Sequence, residues 1–303
     1  MEQDCINIVN TKYASHLELD FDHNIVQATE KRLRASHNLA LPLEEEISLL
    51  QEIIGFELGR FLLQNKGLNG YWTQYVILGD HSNLNQNSLE YWVFNKAPAV
   101  LATQERFSIF KQKTNEILKS NMTLASIPCG LMDDLLSLDY TGKENIKLVG
   151  IDLDPLSLKQ AEENSLTYNK NVNVSFKLEN AWNLSSSEEY DLITSNGLNI
   201  YEPNDTKVIE LYKKLYNALS KDGYLITSFL TLPPTLTPDS PWKNFSMHDV
   251  IKQKAIFVDI LQAKWQTFRT EEQIRYQLEQ VGFRILEIIY DKQSMFPTVI
   301  AQK

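Results

Sequence analysis

Three short apolar runs in the second half of the chain each end in side chains suited to holding a small polar ligand. The first leads into Ile127-Pro128-Cys129-Gly130-Leu131-Met132-Asp133-Asp134. Gly130 there tolerates a positive φ and lets backbone approach a ligand closely. The second is Val149-Gly150-Ile151-Asp152-Leu153-Asp154-Pro155. A carboxylate ending a strand can accept hydrogen bonds from both hydroxyls of a ribose, which suits Asp152. Asp154 before Pro155 reads instead as a helix N-cap followed by proline at the first helical position. The third is Leu178-Glu179-Asn180-Ala181-Trp182, where an amide and backbone groups can read a purine edge. Structural explanations compete at each point: one glycine can be only a turn, two acids can both cap helices, and a tryptophan can belong to the core.

The elements that must position these residues follow from the apolar rhythm. Strands are predicted over Thr123–Pro128, Lys147–Asp152, Asn173–Lys177, Asp191–Ser195 and Tyr224–Leu230. Helices alternate with them, including Pro155–Asn169 and Thr206–Leu219, which marks an α/β fold with a parallel sheet. Ligands of such sheets bind at the carboxyl ends of the strands, which is why the three segments belong together. A Pro-rich break runs from Pro233-Pro234 to Pro241-Trp242, followed by a predicted helix over Met247–Ala263 and another over Thr270–Gln280. Two further strands, Phe283–Tyr290 and Pro297–Ala301, are joined too closely for a parallel crossover, so they are antiparallel if they pair. The first 120 residues read as helical. Ile47, Leu50, Ile54, Leu58 and Phe61 make one apolar face after Pro42, and Phe107, Phe110, Ile117 and Leu118 carry a second pattern.

Taken in order, these segments resemble the class I S-adenosylmethionine-dependent methyltransferases. Leu124-Ala125-Ser126-Ile127-Pro128-Cys129-Gly130 is similar to the first motif of that family. Gly150 to Pro155, with Leu158 and Ala161-Glu162 behind it, is similar to the second-strand signature, and Asn180-Ala181-Trp182 to the adenine-side motif. Tyr190 to Leu198 resembles the fourth strand and its loop, Lys221-Asp222-Gly223-Tyr224-Leu225 the turn into the fifth, and Gln280-Val281-Gly282-Phe283 the entry to the sixth. The resemblance covers residues 122–303, and its specificity lies in the ordered set. It implies a Rossmann-like seven-stranded, mostly parallel sheet with an antiparallel last strand, S-adenosyl-L-methionine as cofactor, and in-line methyl transfer to an acceptor. Carried over residue by residue, Ile127, Pro128, Cys129 and Gly130 would lie against the methionine part and Asp152 would hold the ribose. Leu153 would pack on the adenine, and Asn180 would meet its amino group beside Ala181 and Trp182. Ser195, Asn196 and Gly197 would line the methionine side. Three departures stand out: the family usually has an acid where Ser126 stands, a glycine where Met132 stands and an aspartate where Asn180 stands.

The chain has 303 residues, 29 Lys and Arg against 39 Asp and Glu, and a net charge of −10. That balance disfavours a nucleic-acid partner. The best basic cluster, Lys31-Arg32-Leu33-Arg34, reads as a solvated helix face. Cys5 and Cys129 have no metal-ligand spacing, so no metal is expected. Met1-Glu2-Gln3-Asp4 lacks a signal-peptide pattern, and no apolar run reaches the ~20 residues needed to cross a bilayer, so a cytoplasmic protein with no membrane partner is expected. Residues 1–121 are expected to form a helical cap and 122–303 the cofactor-binding domain, with 233–266 as a lid over a small-molecule acceptor. His81 and His248 are candidate general bases, and Tyr71, Trp72 and Trp242 are candidate walls of the acceptor pocket. Arg106 is a candidate partner for the cofactor carboxylate. A non-catalytic binding protein on the same scaffold is the alternative function. A nicotinamide-dependent oxidoreductase would need a GxGxxG turn where this chain has only Gly130.

Overall fold

A computed structural model describes residues 21–168 and 172–303 of the chain. The expectations for Cys5, for the first residues and for Asn169 lie outside the described residues. Among the described residues six helices come first: α1 (His23–Ala35), α2 (Leu43–Ile53), α3 (Glu57–Asn65), α4 (Gly70–Leu78), α5 (Leu89–Asn95) and α6 (Pro98–Ile117). The apolar face running from Ile47 to Phe61 is split between α2 and α3, because the chain turns at Ile54-Gly55-Phe56. Arg60 Nη1 donates to the Ile54 carbonyl at 2.9 Å, satisfying a group the turn leaves open.

The remaining elements alternate as predicted: β1 (Thr123–Ser126), α7 (Asp133–Leu136), β2 (Lys147–Asp152), α8 (Pro155–Thr167), β3 (Asn173–Leu178), β4 (Tyr190–Ser195), α9 (Asp205–Ala218) and β5 (Leu219–Ser228). Then come α10 (Met247–Lys254), α11 (Glu271–Glu279), β6 (Arg284–Ile289) and β7 (Thr298–Gln302). The helix predicted over 247–263 is α10 followed by a π-helical turn at Ala255–Ile260. Local chemistry sets several starts. Asp154 Oδ1 and Oδ2 accept from the Leu156 and Ser157 N–H groups at 3.1 and 3.2 Å ahead of Pro155. Thr270 and Gln273 form a reciprocal capping box at α11.

The seven strands form one sheet in the order β3-β2-β1-β4-β5-β7-β6. The first five are parallel, and β7 runs antiparallel to both β5 and β6. On one face Val208, Leu211 and Leu215 of α9 and Ile274 and Leu278 of α11 pack against Ile193, Leu225 and Val299. On the other, Phe110 of α6, Leu135 and Leu136 of α7 and Leu158 of α8 cover Leu124, Leu148 and Leu192. The switch in strand order falls between β1 and β4, where ligands of open sheets bind.

The N-terminal helices and the segment after β5 share one core. Leu33, Leu50, Leu58 and Phe94 pack with Phe257 and Ile260. Arg32 joins them by donating to the Asp259 and Ile260 carbonyls at 2.5 and 2.7 Å. The cluster Lys31-Arg32-Leu33-Arg34 is therefore not a solvated face throughout, since Leu33 is fully buried and Arg32 is committed to this junction. No helix among the described residues is long and apolar enough to cross a membrane.

Candidate functional site

A cavity of about 730 Å³ opens at the carboxyl ends of β1, β2 and β4 and continues under the N-terminal helices. It collects nearly every residue expected to hold a cofactor. Ile127, Pro128, Cys129 and Gly130 line it after β1, Asp152 and Leu153 at the end of β2, Asn180, Ala181 and Trp182 after β3, and Asn196 and Gly197 after β4. Arg106 enters from α6. Ser195 does not line it; as the last residue of β4 it is buried within the sheet.

The loop after β1 is built around Gly130, whose φ is +50°. Its N–H donates to Asp152 Oδ2 at 2.9 Å, and Asp152 Oδ1 accepts from the Asp154 N–H at 3.0 Å. Two backbone donors thus aim the carboxylate and leave each oxygen a further lone pair. Burial pushes the Asp152 carboxyl above the usual range, opposed by those two hydrogen bonds. Asp154 also borders the cavity, but its oxygens are taken up by the helix cap, where Oδ2 accepts from Ser157 Oγ at 2.8 Å. Asn180 Oδ1 accepts from the Trp182 N–H at 2.9 Å, so its amide orientation is set before any ligand arrives. The Trp182 indole donates to the Lys207 carbonyl at 2.9 Å and lines the same wall.

The departures at Ser126 and Met132 have structural answers. Ser126 Oγ donates to Asp134 Oδ2 at 2.9 Å, and Thr194 Oγ1 donates to the same oxygen at 2.5 Å. An acid therefore stands beside the end of β1 although Ser126 does not supply it. Burial pushes the Asp134 carboxyl up to about 6 against these two hydroxyl donors. Asp134 lines the cavity, and spacing alone did not single it out from Asp133. Met132 adopts the left-handed conformation of a glycine, with φ +63°, while its side chain is fully buried.

The N-terminal helices meet this loop directly. A Cβ on Gly70, the first residue of α4, would fall 3.0 Å from Gly130 Cα, 2.8 Å from Leu131 Cδ1 and 2.9 Å from Ser157 Oγ. Only glycine fits there without displacement. Beyond that contact the cavity is walled by apolar groups from both sides, among them Leu58, Val93 and Phe107 with Phe257, Trp265 and Phe296.

The proposed acceptor walls and bases lie elsewhere. Tyr71 and Trp72 pack on each other and on Tyr75, turned away from the cavity by the helical rotation after Gly70. Trp242 is buried and spends its indole N–H on Thr231 Oγ1 at 2.9 Å. His81 stacks on Phe94 at 3.7 Å with Nε2 2.9 Å from the Tyr75 carbonyl, which makes it a core histidine. His248 is exposed on α10, with Nδ1 3.6 Å from Asp249 Oδ1. Aromatic type marked the right segments but not which ring faces inward: Phe257 and Trp265 take the places expected of Trp72 and Trp242.

Sequence comparison matches a family model described as a methyltransferase domain to residues 118–273. No protein of curated function matches the chain. Among solved structures, one described as a possible exported protein from Bordetella parapertussis is 40% identical, with 92% of this chain and 94% of that chain covered and a TM-score of 0.87. A S-adenosylmethionine-dependent methyltransferase from Methanosarcina mazei is 17% identical over 63% of this chain and 96% of that chain, with a TM-score of 0.48. Another such methyltransferase, from Mesorhizobium loti, is 16% identical over 63% and 96%, with a TM-score of 0.45.

Proposed function

Because the chain belongs to the class I S-adenosylmethionine-dependent methyltransferase family, whose cofactor is S-adenosylmethionine, we propose that it transfers the cofactor's methyl group to a small-molecule acceptor bound under the N-terminal helices. The observation that carries this reading is a cavity at the strand ends whose lining joins Gly130, Asp152, Asn180 and Asn196 to apolar side chains of the N-terminal helices.

The residues present fit the cofactor. The aimed Asp152 carboxylate suits a ribose diol, the Asn180 amide suits an adenine edge, and the Gly130 loop offers backbone without a side chain in the way. S-adenosylmethionine, when bound, supplies an electrophilic methyl on a sulfonium, so the protein's own task is to bind, align and exclude water. Alignment is worth up to ~7–11 kcal/mol of barrier when reacting groups are held in register. The apolar chamber serves that task by keeping the reacting groups dry. We assign residues 122–303 to the cofactor-binding domain, residues 1–121 to a cap and 233–266 to a lid. The shared core of α1 to α5 with Phe257 and Ile260 supports treating cap and lid as one roof. A roofed chamber favours a small acceptor over a polymer.

Calorimetric titration with S-adenosylmethionine, S-adenosylhomocysteine and NADH tests the reading. The two sulfur compounds are expected to bind near 1 µM, about −8 kcal/mol, and NADH not at all. Absence of heat with both sulfur compounds, or binding of NADH alone, overturns it.

A further inference from the structure

Arg106 is the one strongly buried cation in the cavity, and the cofactor residues leave it without a counter-charge. Its residue is 7% exposed. Its Nε has no hydrogen-bond partner, and its Nη1 reaches only Ser228 Oγ, at 3.4 Å. The guanidinium lies over the Phe296 ring, 4.5 Å from the centroid. Among the described residues no carboxylate stands within 4.0 Å of it. Asp291 favours its charge from farther off, but the Asp291 oxygens already accept from the Gln293, Met295 and Phe296 N–H groups. A buried charge left unpaired is costly, and burial draws this guanidinium down to about 10 against the opposing pull of Asp291 and Tyr201. An arginine held in this way is completed by an anion that arrives from the cavity.

Position decides which anion. Ser228 ends β5, and its Oγ donates to Asn196 Oδ1 at 3.2 Å, just past β4. In the order β1-β4-β5 the strand that leads into Gly130 is two spacings from the strand bearing Ser228, or ~10 Å. Gly130, where the methionine part belongs, is tied to Asp152 and touches the N-terminus of α4. Arg106 instead lines the cavity beside Ser228, over the Phe296 ring and near Tyr201. Among the described residues the other cation lining the cavity is Lys207, whose Nζ lies 3.7 Å from Glu202 Oε2. One planar guanidinium with no second cation beside it suits a singly charged carboxylate rather than a phosphate dianion.

We infer that Arg106 binds the carboxylate of the acceptor, and that the acceptor is a carboxylic acid with an apolar body. This rests on the methyltransferase reading and moves Arg106 from the cofactor carboxylate, where the sequence placed it, to the acceptor. The test uses the full chain saturated with S-adenosylhomocysteine. Octanoate and 4-phenylbutyrate are titrated by calorimetry beside octanamide and 4-phenylbutyramide, in the wild type, Arg106→Gln and Arg106→Lys. At least one acid should bind the wild type tenfold or more tightly than its amide. Arg106→Gln should abolish that preference while changing S-adenosylhomocysteine affinity less than threefold, and Arg106→Lys should retain part of it. Acids and amides that bind alike, or no binding of either, overturn the inference while leaving cofactor binding intact. Loss of S-adenosylhomocysteine affinity by tenfold or more in Arg106→Gln, with Arg106→Lys restoring it, returns Arg106 to the cofactor. A wild type that fails to bind S-adenosylhomocysteine overturns both readings. The acid-against-amide comparison in the wild type stands even if Arg106→Gln does not fold.

Discussion

Asp152 and Asp154 stand two residues apart with the same charge, and the structure gives them different work. Asp152 is aimed at the cavity by the Gly130 and Asp154 N–H groups, whereas Asp154 spends both oxygens on the start of α8. Asp152→Ala removes the acceptor for two ribose hydroxyls. Each hydrogen bond to a charged group contributes about 1.5–3 kcal/mol. Part of that is offset because the freed Gly130 and Asp154 donors can turn to water in a cavity that reaches solvent. A net loss of about 2–4 kcal/mol, or roughly 30- to 1,000-fold in cofactor affinity, follows. Asp154→Ala removes a helix cap worth about 1 kcal/mol of stability and should leave affinity within threefold. Calorimetry with S-adenosylhomocysteine measures the first effect and denaturant unfolding the second. Weak binding in Asp154→Ala with full binding in Asp152→Ala would refute the assignment of the two carboxylates.

Gly70→Ala pushes a methyl into Gly130, Leu131 and Ser157, and thermal unfolding should register about 1–3 kcal/mol of destabilisation, as for other overpacked contacts; an unchanged melting temperature would mean that α4 does not dock on the β1 loop as described. Met132→Gly relieves a left-handed φ worth about 1–2 kcal/mol but deletes a fully buried side chain worth about 2–5 kcal/mol. It should therefore destabilise on balance by about 1–3 kcal/mol in urea unfolding, and a stabilised variant would contradict that balance. Asp134, raised to about 6 in the folded chain, binds its proton more tightly folded than unfolded. Its contribution to stability is thus present in acid and lost as pH rises from about 4 to about 6, on the order of 3 kcal/mol. Asp134→Asn should flatten that part of the stability–pH curve, and an unchanged slope would show that another group titrates there.

The sheet was legible because its strands are short apolar runs whose ends carry unlike chemistry. Lys147–Asp152 agrees with the structure to the residue, and the short link before Thr298 already required an antiparallel strand. The cofactor end of the cavity was legible for the same reason, since a strand end places its last side chain with little freedom. The helical half was less so. Apolar spacing ran through Ile54 and Leu58 as one face, although a turn at Gly55 divides it. Spacing also does not say which of several aromatic rings points inward, so Tyr71, Trp72 and Trp242 were favoured where Phe257 and Trp265 line the wall. Asp134 was hidden because its role depends on a contact with Thr194, sixty residues on in the chain.

A crystal structure of the protein soaked with S-adenosylhomocysteine puts the cofactor assignment to the test. The ribose hydroxyls are expected on Asp152, the adenine beside Asn180, the amino-acid end at the Gly130 loop, and an unfilled chamber around Arg106. A nucleoside bound outside the strand ends, or a ribose with no contact to Asp152, would contradict it.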